Sequence, residues 1–149
     1  MQLTRAADYA VRVMIHMAGL PPGTRASRSE LAGAVECPEQ FLSKVLQSLT
    51  RGGLVVSHRG NTGGFELPGG HREATLLEVV EAIEGRIRLN VCLASEHSCT
   101  RQGWCPAHDV WAEAQESLAA VLQKATIGEL AERATARKPA GLVKQPVLN

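Results

Sequence analysis

The amino-acid sequence predicts a mostly α-helical fold with a small β-hairpin wing, that is, a winged helix-turn-helix followed by a long C-terminal helix. Three observations lead to this prediction. Two capped helical patterns follow one another closely between residues 27 and 51, and two short strand-like runs joined by a glycine-rich turn come directly after them. A further apolar pattern of helical period extends from about Pro106 to Lys124. Helix, helix and β-hairpin in this order are typical of the winged fold.

The N-terminal half contains three predicted helices. The first runs from Leu3 to Leu20, with Thr4 placed to cap it. The second is short and begins at a capping box formed by Ser27 and Glu30. The third extends from about Pro38 to Arg51, and we expect it to bury the apolar residues Phe41, Leu42, Val45, Leu46 and Leu49.

Strand signals follow the third helix. Residues 54–57 and 65–67 are predicted as short strands, and residues 58–64 between them form a glycine-rich turn. A capping box at Thr75 then opens a helix that ends near Glu84, and the long helix follows from about Pro106. A last capping box at Thr126 opens a short helix that ends near Ala134.

Composition excludes several classes of protein. The chain has 149 residues, 44% of them hydrophobic, and a net charge of +1. It contains no run of roughly 20 apolar residues that would span a membrane, and no signal-peptide pattern, so we expect a cytoplasmic protein without membrane association. No phosphate-cradling glycine motif and no nucleophile motif is present, so we expect no enzymatic activity. The small net charge does not by itself indicate nucleic acid.

Polar residues along the third helix and in the glycine-rich turn predict contacts with DNA. The second helix of a helix-turn-helix enters the major groove, where glutamine can pair with adenine and glutamate can accept from cytosine. Arg59 at the tip of the turn suits a narrow minor groove. The other interpretation is a solvated helix face and an ordinary turn. The predicted DNA contacts are Arg28, Glu39, Gln40, Ser43, Lys44, Gln47, Arg51, His58, Arg59, Asn61 and Thr62.

Three cysteines, Cys92, Cys99 and Cys105, lie within one irregular segment and predict a metal site, favouring an iron–sulfur cluster. Both zinc and iron–sulfur sites normally need four ligands, so another residue must complete the site. His108 is the local candidate, and Asp8 is a distant one in the first helix. The spacing lacks a tight C-x2–4-C pair, which weakens the case for zinc. A redox-active thiol pair and unliganded cysteines remain alternatives, while Cys37 is expected to be a buried structural residue.

Several motifs resemble the IscR/NsrR-type regulators of the Rrf2 family. They are residues 3–12 (LTRAADYAVR), 41–46 (FLSKVL) with Leu49 and 53–55 (GLV), 57–60 (SHRG) with 63–65 (GGF), and 75–85 (TLLEVVEAIEG), followed by three cysteines. The resemblance covers about residues 1–134. It implies a homodimeric DNA-binding transcription regulator, a repressor in the expected case, that reads a near-palindromic operator.

The resemblance also implies how such a regulator would sense its signal. An iron–sulfur cluster near the dimer interface would respond to nitric oxide, redox state or cluster supply. IscR-like members hold a 2Fe–2S cluster with three cysteines and a histidine three residues later, which His108 matches. NsrR-like members hold a 4Fe–4S cluster with three cysteines and an aspartate from the partner's first helix, which Asp8 matches. The acid at position 8 favours the NsrR-like form, and the alternative is a thiol-redox or zinc-binding regulator without a cluster.

These expectations divide the chain into three parts. Residues 1–74 form the winged helix-turn-helix DNA-binding domain. Residues 75–134 contain the cluster-binding loop and the dimerisation helices. Residues 135–149 form a flexible tail.

Overall fold

The computed structural model describes residues 2–69 and 71–138. It contains six α-helices in this described part: α1 (Arg5–Ala18), α2 (Arg28–Val35), α3 (Glu39–Arg51), α4 (Leu76–Glu84), α5 (Pro106–Lys124) and α6 (Ile127–Arg137). Three short strands accompany them: β1 (Arg25–Ala26), β2 (Val56–His58) and β3 (Gly64–Glu66). Single turns of 3-10 helix lie at His71–Glu73 and Val91–Leu93. The mostly helical winged fold predicted from the sequence is confirmed.

Local capping fixes where most helices begin. The side chain of Thr4 accepts a hydrogen bond from the backbone N–H of Ala7 at the start of α1. Complete capping boxes are present at Ser27, Thr75 and Thr126, each with a glutamate three residues later. Each box satisfies two backbone N–H groups that would otherwise lack a partner. The predicted helix starts are therefore confirmed to within a residue or two.

The strands form a three-stranded antiparallel sheet in the order β1-β3-β2. The sequence predicts only the hairpin of β2 and β3. It also places the start of β2 two residues too early, at residue 54 instead of Val56. Leu54 and Val55 are buried in the core ahead of β2, which begins at Val56. The additional strand β1 pairs Arg25 with Glu66 and Ala26 with Phe65. It joins the wing to the segment that precedes α2.

Helix α1 lies at the centre of the core, where it contacts α2, α3, α4 and α6. Its side chains Val13 and Met14 are fully buried, as are Leu42, Leu46 and Leu49 of α3. Burial of aliphatic side chains of this size contributes about 1.5–3 kcal/mol each. The core therefore holds the helix-turn-helix pair α2–α3 firmly against α1.

Phe41 departs from the sequence prediction. We expect it to be buried from its position on the apolar face of α3, but 37% of its surface is exposed. Its ring packs edge-on against Tyr9 of α1, with ring centroids 5.7 Å apart. Phe41 therefore keeps a larger exposed fraction than the other apolar residues of α3, which are buried.

Helix α5 buries none of its residues completely. Val110, Trp111 and Val121 are 62%, 44% and 66% exposed, and the helix rests mainly on α4 and on the turn at Val91–Leu93. Large exposed apolar patches commonly mark surfaces that contact another protein. None of the described helices is both long enough and apolar enough to span a membrane.

The end of the chain differs slightly from the predicted boundary. Helix α6 continues to Arg137 rather than ending near Ala134. The remainder of the predicted tail, from residue 139 onward, lies outside the described residues.

Candidate functional site

A groove of about 520 Å³ lies between α3 and the wing. It is lined by Arg28, Ser43, Gln47, Thr50, Arg51, Ser57, Arg59 and Phe65. Five of these belong to the predicted set of DNA contacts, and three of the five are arginines. Guanidinium groups beside amide and hydroxyl groups can contact phosphates and base edges together. We refer to this surface as the recognition groove.

Arg28 connects the two helices of the helix-turn-helix at this groove. Its Nη1 donates a hydrogen bond to the hydroxyl of Ser43 over 3.1 Å. Its Nε lies 3.5 Å from a carboxylate oxygen of Glu39, at the start of α3. About half of each of these two charged side chains remains exposed, so the guanidinium is oriented without being removed from solvent.

The other predicted DNA contacts lie outside the recognition groove. Glu39, Gln40 and Lys44 are exposed on α3, and Asn61 and Thr62 are exposed at the tip of the turn. These five side chains lie on the same two elements, α3 and the turn of the wing, that contribute residues to the groove. Their exposure leaves them accessible to a large ligand.

Among the predicted DNA contacts, His58 has a side chain that is mostly covered by the wing itself. Only 28% of its side chain is exposed, and its Nε2 lies 2.8 Å from a carboxylate oxygen of Glu66. The imidazole therefore faces another strand of the wing instead of projecting from the turn.

Two glycines allow the wing to close tightly. A Cβ atom at Gly64, where φ is +132°, would lie 2.9 Å from the carbonyl oxygen of Ala26 on β1. A Cβ atom at Gly63 would overlap the carbonyl oxygen of His58. A real side chain fits at neither position, so the turn requires glycine at 63 and the close approach of β3 to β1 requires glycine at 64.

Sequence reasoning missed Arg25, which the structure places beside the wing. Its Nη1 donates to the carbonyl oxygen of Thr62 over 3.2 Å, and its Nε lies 3.5 Å from Glu66. A strand of two residues is too short to produce an alternating pattern. The available signal was a single arginine between a proline–glycine turn and the capping box of α2.

A second cavity, of about 260 Å³, brings together the three clustered cysteines and one histidine. It is lined by Asn90, Val91, Cys92, Ser98, Cys99, Gln102, Cys105, His108 and Trp111. The three thiols are free and partly buried. We call this cavity the thiol pocket.

Local hydrogen bonds shape the loop around the thiol pocket. The side chain of Asn90 accepts from the N–H of Val91 over 2.8 Å and starts the turn that carries Cys92. The hydroxyl of Ser98 accepts from the N–H of Ser95 over 2.6 Å, which closes the next turn just before Cys99. Cys105 occupies the N-cap of α5, so Cys105 and His108 lie at opposite ends of its first turn.

The donor set of the thiol pocket fits an iron–sulfur cluster. Thiolates are the usual ligands of such clusters, and an imidazole can replace one of them. Within the described ranges, no three histidine, cysteine, aspartate or glutamate groups are close enough together to hold a single metal ion. The support for a cluster is the kind of donors that line the pocket, three thiols and one imidazole.

Asp8 lies in a different place from the thiol pocket of its own chain. Its carboxylate pairs with Arg12 over 2.7 Å, and about half of the side chain is exposed. It lines a separate cavity of about 480 Å³, together with Leu122 of α5. The structure thus groups His108 with the cysteines and places Asp8 apart from them.

Cys37 matches its expected structural role. The residue is buried at the end of α2, with its thiol 3.5 Å from the carbonyl oxygen of Pro38. Burial raises the pKa of the Cys37 thiol, which keeps it protonated and unreactive.

Comparisons with known proteins agree with the helix-turn-helix and wing. The Rrf2 family model, described as iron-dependent transcriptional regulators, matches residues 3–133. The protein aau3 of Rhizobium meliloti is 38% identical over 132 residues, which cover 87% of this chain and 84% of that protein.

Solved structures show the same fold. CymR (YrzC), the global cysteine regulator of B. subtilis, is 25% identical, with a TM-score of 0.71 over 89% of this chain and 98% of that one. IscR of T. potens is 22% identical, with a TM-score of 0.70 over 95% of this chain and 94% of that one.

Proposed function

The chain belongs to the Rrf2 family of transcriptional regulators, which are not enzymes, and from this premise we propose that it is a DNA-binding repressor controlled by an iron–sulfur cluster. The recognition groove contacts the operator, and the thiol pocket holds the cluster. The observation that carries the sensing role is the convergence of Cys92, Cys99, Cys105 and His108 on one cavity.

The recognition groove supports DNA binding through its mixture of charges and polar groups. Arg28, Arg51 and Arg59 lie on three different elements around the groove and can neutralise phosphates on both sides of α3. Ser43 and Gln47 lie on α3 between them and can reach base edges in the major groove. Arg59 at the wing suits the adjacent minor groove.

His108 is the favoured fourth ligand. It lines the thiol pocket of its own chain, whereas Asp8 lines another cavity and pairs with Arg12. This arrangement supports a 2Fe–2S cluster with three thiolates and one imidazole. The sequence alone favours the NsrR-like 4Fe–4S form, because of the acid at position 8. A 4Fe–4S cluster completed by Asp8 from a second copy of the chain is the competing arrangement.

A series of contacts through α4 connects the cysteine loop with α3, and a change at the thiol pocket can reach α3 through them. A bound cluster would supply a redox-active centre to the loop that carries Cys92, Cys99 and Cys105. The segment before the loop is tied to α4, because the carboxylate of Glu81 accepts from the N–H of Ile87 over 3.2 Å. Helix α4 in turn packs closely on the end of α3, where a Cβ atom at Gly52 would lie 3.2 Å from that of Ala82.

We further propose that the protein acts as a homodimer through α5. The exposed apolar residues of this helix, Val110, Trp111 and Val121, need a partner surface. A two-fold dimer places two copies of α3 against half-sites about one helical turn apart. The operator is then a near-palindrome of double-stranded DNA.

A thiol-redox regulator without a cluster is the second candidate. It is favoured by the free, partly exposed state of the three thiols in one pocket. It is also favoured by the structural likeness to CymR, which is a global cysteine regulator. A zinc-binding form of the same pocket is a variant of this candidate.

Anaerobic purification distinguishes these candidates. We expect coloured protein with two irons and two sulfides per chain, and His108→Ala should lose or shift the visible spectrum while Asp8→Ala retains it. Four irons per chain and loss of colour only in Asp8→Ala would support the competing ligand. Colourless protein with no iron under strict anaerobiosis would reject the cluster and leave thiol oxidation or zinc as the basis of sensing.

A further inference from the structure

The wing contains a cluster of one carboxylate and two basic side chains that the recognition groove does not include. A carboxylate oxygen of Glu66 on β3 lies 2.8 Å from Nε2 of His58 on β2. The same oxygen lies 3.5 Å from Nε of Arg25 on β1. We call Arg25, His58 and Glu66 the wing clamp, because one carboxylate on the central strand lies within 4.0 Å of a basic side chain on each neighbouring strand.

The strand register explains why Glu66 can do this. It lies on the central strand, directly across from Arg25 on one side and from Val56 on the other. Only 25% of its side chain is exposed, compared with 43% for Arg25. Partial burial of Glu66 lowers the screening of its carboxylate by solvent, relative to a carboxylate on an open surface.

The wing clamp reaches the tip of the turn through Arg25. Besides its contact with Glu66, Arg25 donates from Nη1 to the carbonyl oxygen of Thr62 at the tip. Arg25 is also separated by only one residue from Ser27, which caps α2. The clamp therefore links the turn that carries Arg59 to the start of the helix-turn-helix.

We propose that Glu66 is a positioning residue for DNA binding, which orients the wing through Arg25 and His58 without contacting DNA. This inference rests on the proposed function, because it assumes that the protein binds an operator through α3 and the wing. The clamp keeps Arg59 at a fixed place beside the recognition groove, so that minor-groove and major-groove contacts form together.

The proposal predicts an effect opposite in sign to that of simple electrostatics. Removing a carboxylate from a DNA-binding surface normally strengthens binding, because phosphate repulsion is relieved. Removing Glu66 should instead weaken binding, because the wing loses its orientation. Glu73 provides the matched control, since its carboxylate pairs with no cation among residues 2–69 and 71–138.

The probe is a duplex recovered from a random DNA library by selection with the full-length wild-type protein. We expect Glu66→Ala to weaken binding to this duplex by roughly tenfold and to lower the slope of log affinity against log salt by about one unit, as loss of one cationic contact does. Glu73→Ala should bind as tightly as the wild type or more tightly.

Two further measurements support this comparison. Far-ultraviolet circular dichroism checks that each variant is folded. Glu66→Gln, which keeps an acceptor of similar shape, should show an intermediate loss of affinity.

A double variant tests whether Glu66 acts through the wing tip. In the Arg59→Ala background, Glu66→Ala should reduce affinity by less than about twofold further, because the contact that it positions is already absent. Equal or tighter binding by folded Glu66→Ala, or full additivity with Arg59→Ala, would overturn the inference and leave the proposed function intact. If the wild type enriches no duplex at all, the proposed function fails and the inference fails with it.

Discussion

The guanidinium of Arg28 donates to the hydroxyl of Ser43 across the gap between α2 and α3, over 3.1 Å. This contact orients a cation at one edge of the recognition groove before any DNA is present. Preorganisation of this kind reduces the side-chain entropy that binding must otherwise overcome.

Replacing Arg28 should therefore weaken operator binding more than the loss of one surface charge does. We expect Arg28→Ala to cost about 1–3 kcal/mol of binding free energy, measured by fluorescence anisotropy with a labelled duplex. Arg88→Ala is a suitable control, because Arg88 is exposed in the segment that follows α4. Equal losses in the two variants would mean that Arg28 acts only through net charge.

The wing should not accept a side chain at Gly64. An added Cβ would approach the carbonyl oxygen of Ala26 to 2.9 Å, and the φ of +132° disfavours other residues. We expect Gly64→Ala to lower the free energy of unfolding by more than about 1 kcal/mol in urea titrations. Gly33→Ala, in the middle of α2 with open space around it, should instead raise stability by about 0.5–1 kcal/mol.

The capping box of α2 should contribute a pH-dependent part of the stability. Hydrogen bonds from the backbone and side chain of Ser27 hold the pKa of the Glu30 carboxyl below its usual value of 4.5. A lowered carboxyl pKa stabilises the fold above the ordinary pKa, and this stabilisation is lost as pH falls through the folded-state pKa.

We expect Ser27→Ala to cost about 0.5–2 kcal/mol at pH 7, as the loss of a cap usually does. The difference between wild type and variant should become smaller in chemical denaturation at pH 3.5. A difference that stays constant between these pH values would show that the carboxylate of Glu30 contributes nothing to the cap.

The buried His16 should give the stability of the fold a second pH dependence, at a higher pH than that of Glu30. Burial first, and the charge of Lys138 second, lower the pKa of its imidazole below 6.5. The folded protein therefore binds fewer protons than the unfolded chain, so stability should fall as pH drops below about 6.5. Unfolding at pH 7.5 and 5.5 measures this fall.

His16→Gln should reduce the pH dependence, whereas a substitution of the exposed His97 serves as the control. If the two variants lose stability with falling pH as the wild type does, burial of His16 is not the cause.

Much of this structure was predictable because its determinants are local. Thr4, Ser27, Thr75 and Thr126 mark helix starts through hydrogen bonds that span only three residues. The long helix from Pro106 to Lys124 was predicted with its observed bounds, because proline at its first position and a regular apolar period define it.

The errors concern contacts between residues distant in sequence. Strand β1 exists because Arg25 pairs with Glu66, and a two-residue strand has no period of its own. The exposure of Phe41 depends on where Tyr9 lies, which the pattern of α3 alone does not encode. His58 is held by Glu66 only because the hairpin register brings them together.

In the candidate site too, features set by nearby residues were predictable and contacts between distant residues were not. Cysteine spacing within one loop predicted a shared pocket, and His108 follows from its position one helical turn after Cys105. The separation of Asp8 from that pocket depends on how α1 and α5 pack. Nearness in sequence therefore predicts that His108 lines the pocket, whereas it carries no information about where Asp8 lies.

The placement of the two tryptophans has a practical consequence. The chain has only Trp104 and Trp111, one in the cysteine loop and one on α5 lining the thiol pocket. The helix-turn-helix and wing contain none. Tryptophan fluorescence, excited beyond the absorption band of Tyr9, is thus an optical reporter confined to the C-terminal half, and it can be read during a DNA titration without a tryptophan signal from the recognition groove.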